Sequence, residues 1–298
     1  MVVKATTNTE FSEISPRVSE WRRFVRVFLQ RRIVAFGLAV LFILTVVAIF
    51  AGPLAPYDPY AQELDNILQQ PSGTHLLGTD SIGRDTLSRL IYGTRTALEV
   101  GFVTVFIATI IGVTLGILAG YFSGWVNNVI MRFTDILMPF PMIVLALLIA
   151  AVLGGGIQNV ILALGIATVP GYVRIMCGMT ISIKENDFIL AARAMGAQDV
   201  RIMLRHIFPN AIAPIIVTIT LQLGFLILAE AGLSFLGIGI KPPGAAWGAM
   251  VAEGYKFLRR SPILSIAPGA AIMLVVFAFN IVGDGLRDAL DPRLRGTL

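Results

Sequence analysis

The sequence predicts an all-α integral membrane protein with six transmembrane helices and both termini in the cytoplasm. Three observations lead there. Of its 298 residues, 56% are hydrophobic and 14% charged, and the mean hydropathy is +0.81, whereas soluble domains carry roughly a quarter charged residues. Six segments, 33–54, 97–121, 130–153, 157–176, 211–237 and 264–286, hold the run of about 20 apolar residues that crosses a hydrocarbon core. With the termini inside, only Arg84, Arg89, Arg95, Lys241, Lys256, Arg259 and Arg260 of the 23 basic residues fall outside, which is the bias expected of cytoplasmic loops. The net charge of +5 therefore reads as orientation in the bilayer, with no call for nucleic acid.

In chain order, residues 1–32 form a mostly polar cytoplasmic segment. The first span exceeds the roughly 7–15 apolar residues of a signal peptide, so it reads as a retained anchor. Residues 33–96 then comprise that span and an external loop marked by the turn signals of "APYDPY". A core unit of residues 97–290 follows, with a cytoplasmic loop at 177–210 and a tail at 291–298.

In the second span Gly112, Gly116, Gly120 and Gly124 recur every fourth position. Such a stripe lets helices approach closely, within this chain or against a partner subunit. Pro139 and Pro141 in the third span, Pro170 in the fourth, Pro214 in the fifth and Pro268 in the sixth each remove a helical hydrogen bond and are expected to kink their helices. Pro170 and Arg174 make the fourth span the least regular, but without it the later loops would exchange sides and the charge bias would weaken.

The chemical inventory is sparse. No G-x-x-x-x-G-K-[ST] loop is present to cradle ATP phosphates, and neither H-E-x-x-H nor G-x-S-x-G occurs. His75 and His206 fall on opposite predicted sides of the membrane, which excludes one shared metal site. The lone Cys177 excludes an intrachain disulfide and reads as a buried small hydrophobe. These features describe a conduit with no catalytic, metal or cofactor site of its own.

Residues 189–210, "ILAARAMGAQDVRIMLRHIFPN", are unlike the apolar stretches beside them. "DFILAARAM" is a short helical run, and "QDVRIMLRHIF" is another with Val200, Met203, Leu204 and Ile207 at helical spacing. Gly196 allows a turn between them, and Pro209 is expected to close the second helix. The product is an elbow with small Ala191, Ala192 and Ala194 on one arm and cations available to pair with a partner's carboxylates.

The stretch "LAARAMGAQDVRIMLRHIFP" resembles the EAA loop of ABC-importer permeases, with Ala191, Ala192, Gly196 and Pro209 at matching positions and Leu190 where the pattern has Glu. "LGTDSIGRDTLSRLIYGTRTALEVG", "LSFLGIGIKPP" and "FNIVGDGLRDALDPR" resemble the C-type permease of dipeptide, oligopeptide and nickel importers. The likeness runs from about residue 33 to the end. It implies a type I ABC-importer permease fold in a bacterial cytoplasmic (inner) membrane. It also implies a second permease subunit of the B type, two ATP-binding subunits carrying ATP and Mg, and an extracytoplasmic substrate-binding protein. Ala191, Ala192, Arg193, Gly196, Asp199, Arg201, Arg205 and Pro209 would then form the contact that couples the ATPase to the membrane domain.

Glu230 is the one central charge within a span. An ionised carboxylate at mid-bilayer costs on the order of 2.5–3.5 kcal/mol, so it faces protein or water. It either lines the translocation path, or is buried and hydrogen-bonded to a neighbouring helix, or lies near enough to an interface to be solvated. Arg132 with Asp135, and Asn280 with Asp284, share helix faces near predicted cytoplasmic ends and read as caps or pairs. In such an importer the external loops 55–96 and 238–263 would receive the substrate-binding protein, while any single residue in them otherwise reads as solvated loop.

The resulting expectation is half of an alternating-access path for di- or oligopeptides or a related solute. The rival is a self-contained secondary transporter or channel, disfavoured by the single central charge and by the lack of an evident duplicated half. Since the phosphate-binding loop is missing, the purified chain alone should neither bind nor hydrolyse ATP. Equilibrium dialysis against labelled nucleotide checks this, and saturable binding by the pure subunit contradicts it.

Overall fold

In lipid each backbone N–H and C=O must be bonded within the chain, so a long apolar segment resolves into helix. A computed structural model describes Phe28 and residues 31–241 and 243–290. Lys4, Arg17, Arg22, Arg23, Arg26, Arg293 and Arg295, which carry part of the expected cytoplasmic charge, lie outside the described residues, as does Pro242.

The helices are α1 (Arg32–Ile49), α2 (Ala51–Leu54), α3 (Thr86–Tyr121), α4 (Trp125–Leu137), α5 (Met142–Leu153), α6 (Ile157–Lys184), α7 (Asp187–Ala194), α8 (Asp199–Ile202), α9 (Phe208–Phe235), α10 (Trp247–Tyr255) and α11 (Ile263–Leu290). Among the described residues, five helices are long and apolar enough to cross a membrane, taking α8 and α9 as one, or six if α4 and α5 form one bent span.

Three expectations need correction. The third span is not one helix over 130–153: α4 and α5 meet at 88°. The break falls where Pro139 and Pro141 deny the helix two donors, and the chain resumes at Met142. Second, Pro209 does not end a helix. It sits at the start of α9, and the five-residue π-helix Met203–Ile207 joins α8 to α9 without a gap. The wider turn accommodates the proline ring: Phe208 N–H reaches back to Met203 O, and Asn210 Nδ2 donates to His206 O at 2.6 Å. Third, α3 starts at Thr86, eleven residues before the expected span, and with 36 residues is about 54 Å long, so it projects beyond a core of about 30 Å. By contrast, Pro170, Pro214 and Pro268 lie inside helices that continue past them, and α6 runs through Arg174 to Lys184.

Contacts between distant residues sort the helix ends into two faces. At one, Arg31 Nη1 pairs with Asp288 Oδ2 at 2.7 Å and Lys184 Nζ donates to Tyr121 O at 2.7 Å. At the other, Gly156 N donates to Gly239 O at 3.1 Å, and Gln70 Nε2 reaches Ser261 Oγ at 3.0 Å. The first and last described spans therefore end on one face.

The centre of the bundle is the pair α3 and α6. A Cβ on Gly116 would lie 2.6 Å from Met176 Cβ and 2.8 Å from Val173 O, and one on Gly120 would lie 2.6 Å from Thr180 Cβ. Gly112 faces Tyr172 in the same way. The stripe thus packs within the chain. Gly124 does not belong to it: α3 ends at Tyr121, and Gly124 occupies the turn before α4 with φ +78° and open space around it. An apolar cluster that includes Val100, Leu164, Leu226 and Trp247 fills one half of the bundle, and a second, with Ile117, Met176, Ile189, Ile202 and Ile207, fills the other.

This packing gives opposite signs for one substitution at two positions. Gly116→Ala must push α3 from α6 and is expected to destabilise the chain by about 1–3 kcal/mol. Gly178→Ala, in the same helix as Met176 but with nothing within 4 Å of its new Cβ, removes only backbone entropy and is expected to stabilise by up to about 1 kcal/mol. Thermal unfolding in one detergent should rank Gly178→Ala at or above wild type and Gly116→Ala below it. Gly116→Ala melting at or above wild type contradicts the close approach.

Candidate functional site

The elbow is built on a helix end that only one residue type closes easily. α7 carries Asp187 in its first turn and Arg193 in its last, both signs suited to the helix dipole. Gly196 then adopts φ +82°. Its N–H bonds Arg193 O at 2.9 Å while Ala197 N–H bonds Ala192 O at 3.0 Å. That pair of bonds is the Schellman closure with glycine in the left-handed position. The turn expected at Gly196 is present, and Asp199 opens the second arm.

Each arm turns one side inward. Ile189, Ala192, Ile202, Met203 and Ile207 are buried, all but Ala192 in the cluster formed by the ends of α3 and α6. Outward lie Leu190, Ala191, Val200 and Leu204, with Met195 82% exposed at the tip. Arg193, Arg201, Arg205 and Pro209 are also exposed. Ala192 thus belongs to the elbow's base, while Ala191 lies on its outer face. No carboxylate among the described residues pairs with Arg201 or Arg205, so the outer face is an apolar knob beside unpaired cations.

Tyr121, at the last position of α3 and 4% exposed, lies beneath the elbow. Its hydroxyl donates to Asp199 Oδ1 at 2.5 Å, and Lys184 Nζ and Arg193 Cζ lie 5.4 Å and 5.5 Å from its ring centroid. Sequence reasoning passed over it. The available signal was an aromatic residue at the boundary of an apolar run, where amphipathic rings gather.

At the opposite face the loop expected to be solvated is exposed over most of residues 56–76, but His75, Asp80, Arg84 and Asp85 at its end are buried. Asp85 caps α3, accepting from Ser88 N and Ser88 Oγ at 2.8 Å each, while its other oxygen meets His75 Nδ1 at 2.9 Å. Asp80 Oδ2 accepts from Arg84 Nε at 2.6 Å, and Arg84 Nη2 donates to Glu253 Oε2 on α10 at 2.9 Å. Arg89, 2% exposed, lies 3.6 Å from Asp80 and 3.9 Å from Glu253. Trp247 Nε1 donates to Leu90 O at 3.0 Å, its ring filling the space that a side chain at Gly93 would need. The legible signal was charge at i, i+4 spacing, Asp80 with Arg84; Asp85 and Arg89 have the same spacing but do not pair. Buried ions of this kind are held because each finds a counter-charge.

Glu230 is 1% exposed, and Ser234 Oγ donates to its Oε1 at 2.7 Å. Ser234 in turn accepts from Ile240 N at 3.2 Å. The carboxylate thus links the end of α9 to the following loop and meets no open surface of this chain, which favours the buried alternative. Asp135 pairs with Arg174 Nη2 at 2.5 Å, not with Arg132, and Asn280 and Asp284 have no hydrogen bond or ion pair among the described residues. Cys177 is buried as expected.

Comparison with known proteins agrees with this geometry. Residues 112–296 match the family described as binding-protein-dependent transport system inner membrane component. Residues 19–71 match the N-terminal transmembrane domain of oligopeptide transport permease C, so a relationship begins within the N-terminal segment that sequence reading left unassigned. Over 277 residues the chain is 44% identical to the glutathione transport system permease protein GsiD of Escherichia coli O157:H7, covering 93% of this chain and 91% of that protein. It is equally identical to GsiD of Pectobacterium atrosepticum, covering 92% of each. Among solved structures, an inward-facing conformation of the MetNI methionine ABC transporter superposes with a TM-score of 0.56 at 20% identity, covering 69% of this chain and 97% of the other, a likeness of fold. The chain belongs to the binding-protein-dependent transport system inner membrane component family, as the permease subunit of an ABC importer.

Proposed function

We propose that the chain forms half of a translocation path for di- or oligopeptides, glutathione-sized peptides among them, in a complex with a B-type permease. Two ATP-binding subunits, holding ATP and Mg, dock on the face bearing the elbow, and an extracytoplasmic binding protein delivers solute to the other. The elbow face, with Arg31 and Asp288, is then cytoplasmic. The peptide assignment is supported by the relatives named for glutathione transport.

The observation that carries the reading is the elbow's two-sidedness. Its inner side is anchored in an apolar cluster, while its outer side offers Met195, Leu190, Val200 and Leu204 with Arg201 and Arg205 beside them. An exposed apolar knob of this kind on a structured base fits a groove on a partner. ATP-driven closure of the partner subunits then displaces the knob, and the bundle follows as a rigid body.

Gly196→Val tests it. A Cβ there meets nothing within 4 Å, so the main effect is backbone strain at φ +82°, worth roughly 1–2 kcal/mol. Membrane insertion is expected to survive. ATPase co-purification is expected to fall, or ATP turnover to stop responding to binding protein and peptide. Normal subunit ratios with normal stimulated uptake would refute the elbow as the point of coupling.

A further inference from the structure

We infer that Tyr121 is the joint through which movement of the elbow enters the bundle, a positioning residue for coupling that acts on α3. This rests on the elbow being the ATPase contact and adds where the motion goes next.

Four interactions converge on the residue from separate parts of the chain. Its carbonyl, at the C-terminal end of α3, accepts from Lys184 Nζ at the end of α6, which places a cation where the helix dipole is negative. Its ring is approached by Lys184 and by Arg193, the latter in the last turn of α7. Its hydroxyl donates to Asp199, the first residue of α8 and 78 positions along the chain. One buried side chain thus holds both arms of the elbow and the ends of both central helices.

Its placement gives those bonds a mechanical meaning. The turn at Gly196 is closed by its own backbone bonds, and a Cβ there would meet nothing within 4 Å, so no side chain packs over it. Arg193 and Asp199 flank that turn, and both are held by the same phenol. Behind it α3 is locked to α6 through Gly116 and Gly120, so a displacement applied to the arms is delivered to both helices together. The apolar cluster around Ile189 and Ile202 keeps the elbow seated but is not directional. The oriented side-chain contacts from the arms to the end of α3 are those of Asp199 and Arg193 with Tyr121, which Lys184 ties to α6.

Hydrogen exchange on the assembled complex in nanodiscs, with and without ATP and vanadate, separates the possibilities. In wild type, nucleotide trapping should change exchange both in residues 187–202 and in the last turn of α3, residues 118–122. In Tyr121→Phe, which keeps the ring and loses the hydroxyl, the change at 187–202 should persist while that at 118–122 is lost. A residue needed only for folding would weaken both together. Asp199→Asn retains an acceptor and should behave as wild type, whereas Asp199→Val should reproduce Tyr121→Phe, and the double variant Tyr121→Phe/Asp199→Val should lose no more than either alone. If residues 118–122 still respond in Tyr121→Phe, the joint is overturned and the elbow reading stands. If residues 187–202 do not respond in wild type, the elbow reading falls and the joint with it.

Discussion

The close approach of α3 and α6 is the constraint on which the rest of the structure depends. Lipid tails are as apolar as leucine, so helices in a bilayer gain little from burying oily surface against each other, and van der Waals contact at short range has to hold them. At Gly112, Gly116 and Gly120 the backbone of α3 lies against Tyr172, Met176 and Thr180 with no room for a methyl group. A pair locked along that length has two ends that cannot move independently, and both ends carry specialised structure.

The two ends use different physics. At the end away from the elbow, buried Asp80, Arg84 and Arg89 and half-buried Glu253 form a set of charges that fastens the loop before α3 to α10. Removing Asp80 would leave the buried Arg84 and Arg89 short of a counter-charge, at a cost of about 3–5 kcal/mol, so this end behaves as a fixed plug. At the other end Ile189, Ile202 and Ile207 seat the elbow in an apolar cluster, which tolerates sliding, and Tyr121 and Lys184 supply the few oriented bonds. A rigid end opposite the elbow and a seated but adjustable one beneath it suit a subunit that is driven from one side.

Much of this was legible from residue order. The apolar runs located the spans, the four-residue glycine repeat located the central contact, and a glycine between two short helical patterns located the left-handed turn at Gly196. What was missed depends on partners distant in sequence. Asp80 and Arg84 look like solvated loop residues until Glu253 is brought beside them, and Tyr121 looks like the end of a span until Asp199 returns to it. Proline was misread in both directions: at 139 and 141 it breaks a span that hydropathy alone draws as continuous, while at 209 a π turn absorbs it and the helix goes on. Gly124 kept the spacing of the stripe but fell beyond the end of its helix.

The central claim is that the outer face of the elbow meets the ATPase. Its most direct measurement places a single cysteine at Met195, the exposed tip, in a Cys177→Ala background, and follows its reaction with a maleimide before and after the ATP-binding subunits are added. A second chain with its only cysteine at Leu76, exposed on the opposite face, controls for general shielding. The account predicts that Met195→Cys becomes protected on assembly while Leu76→Cys reacts as before. Equal labelling of Met195→Cys with and without the ATPase, in a complex shown to be assembled, would contradict it.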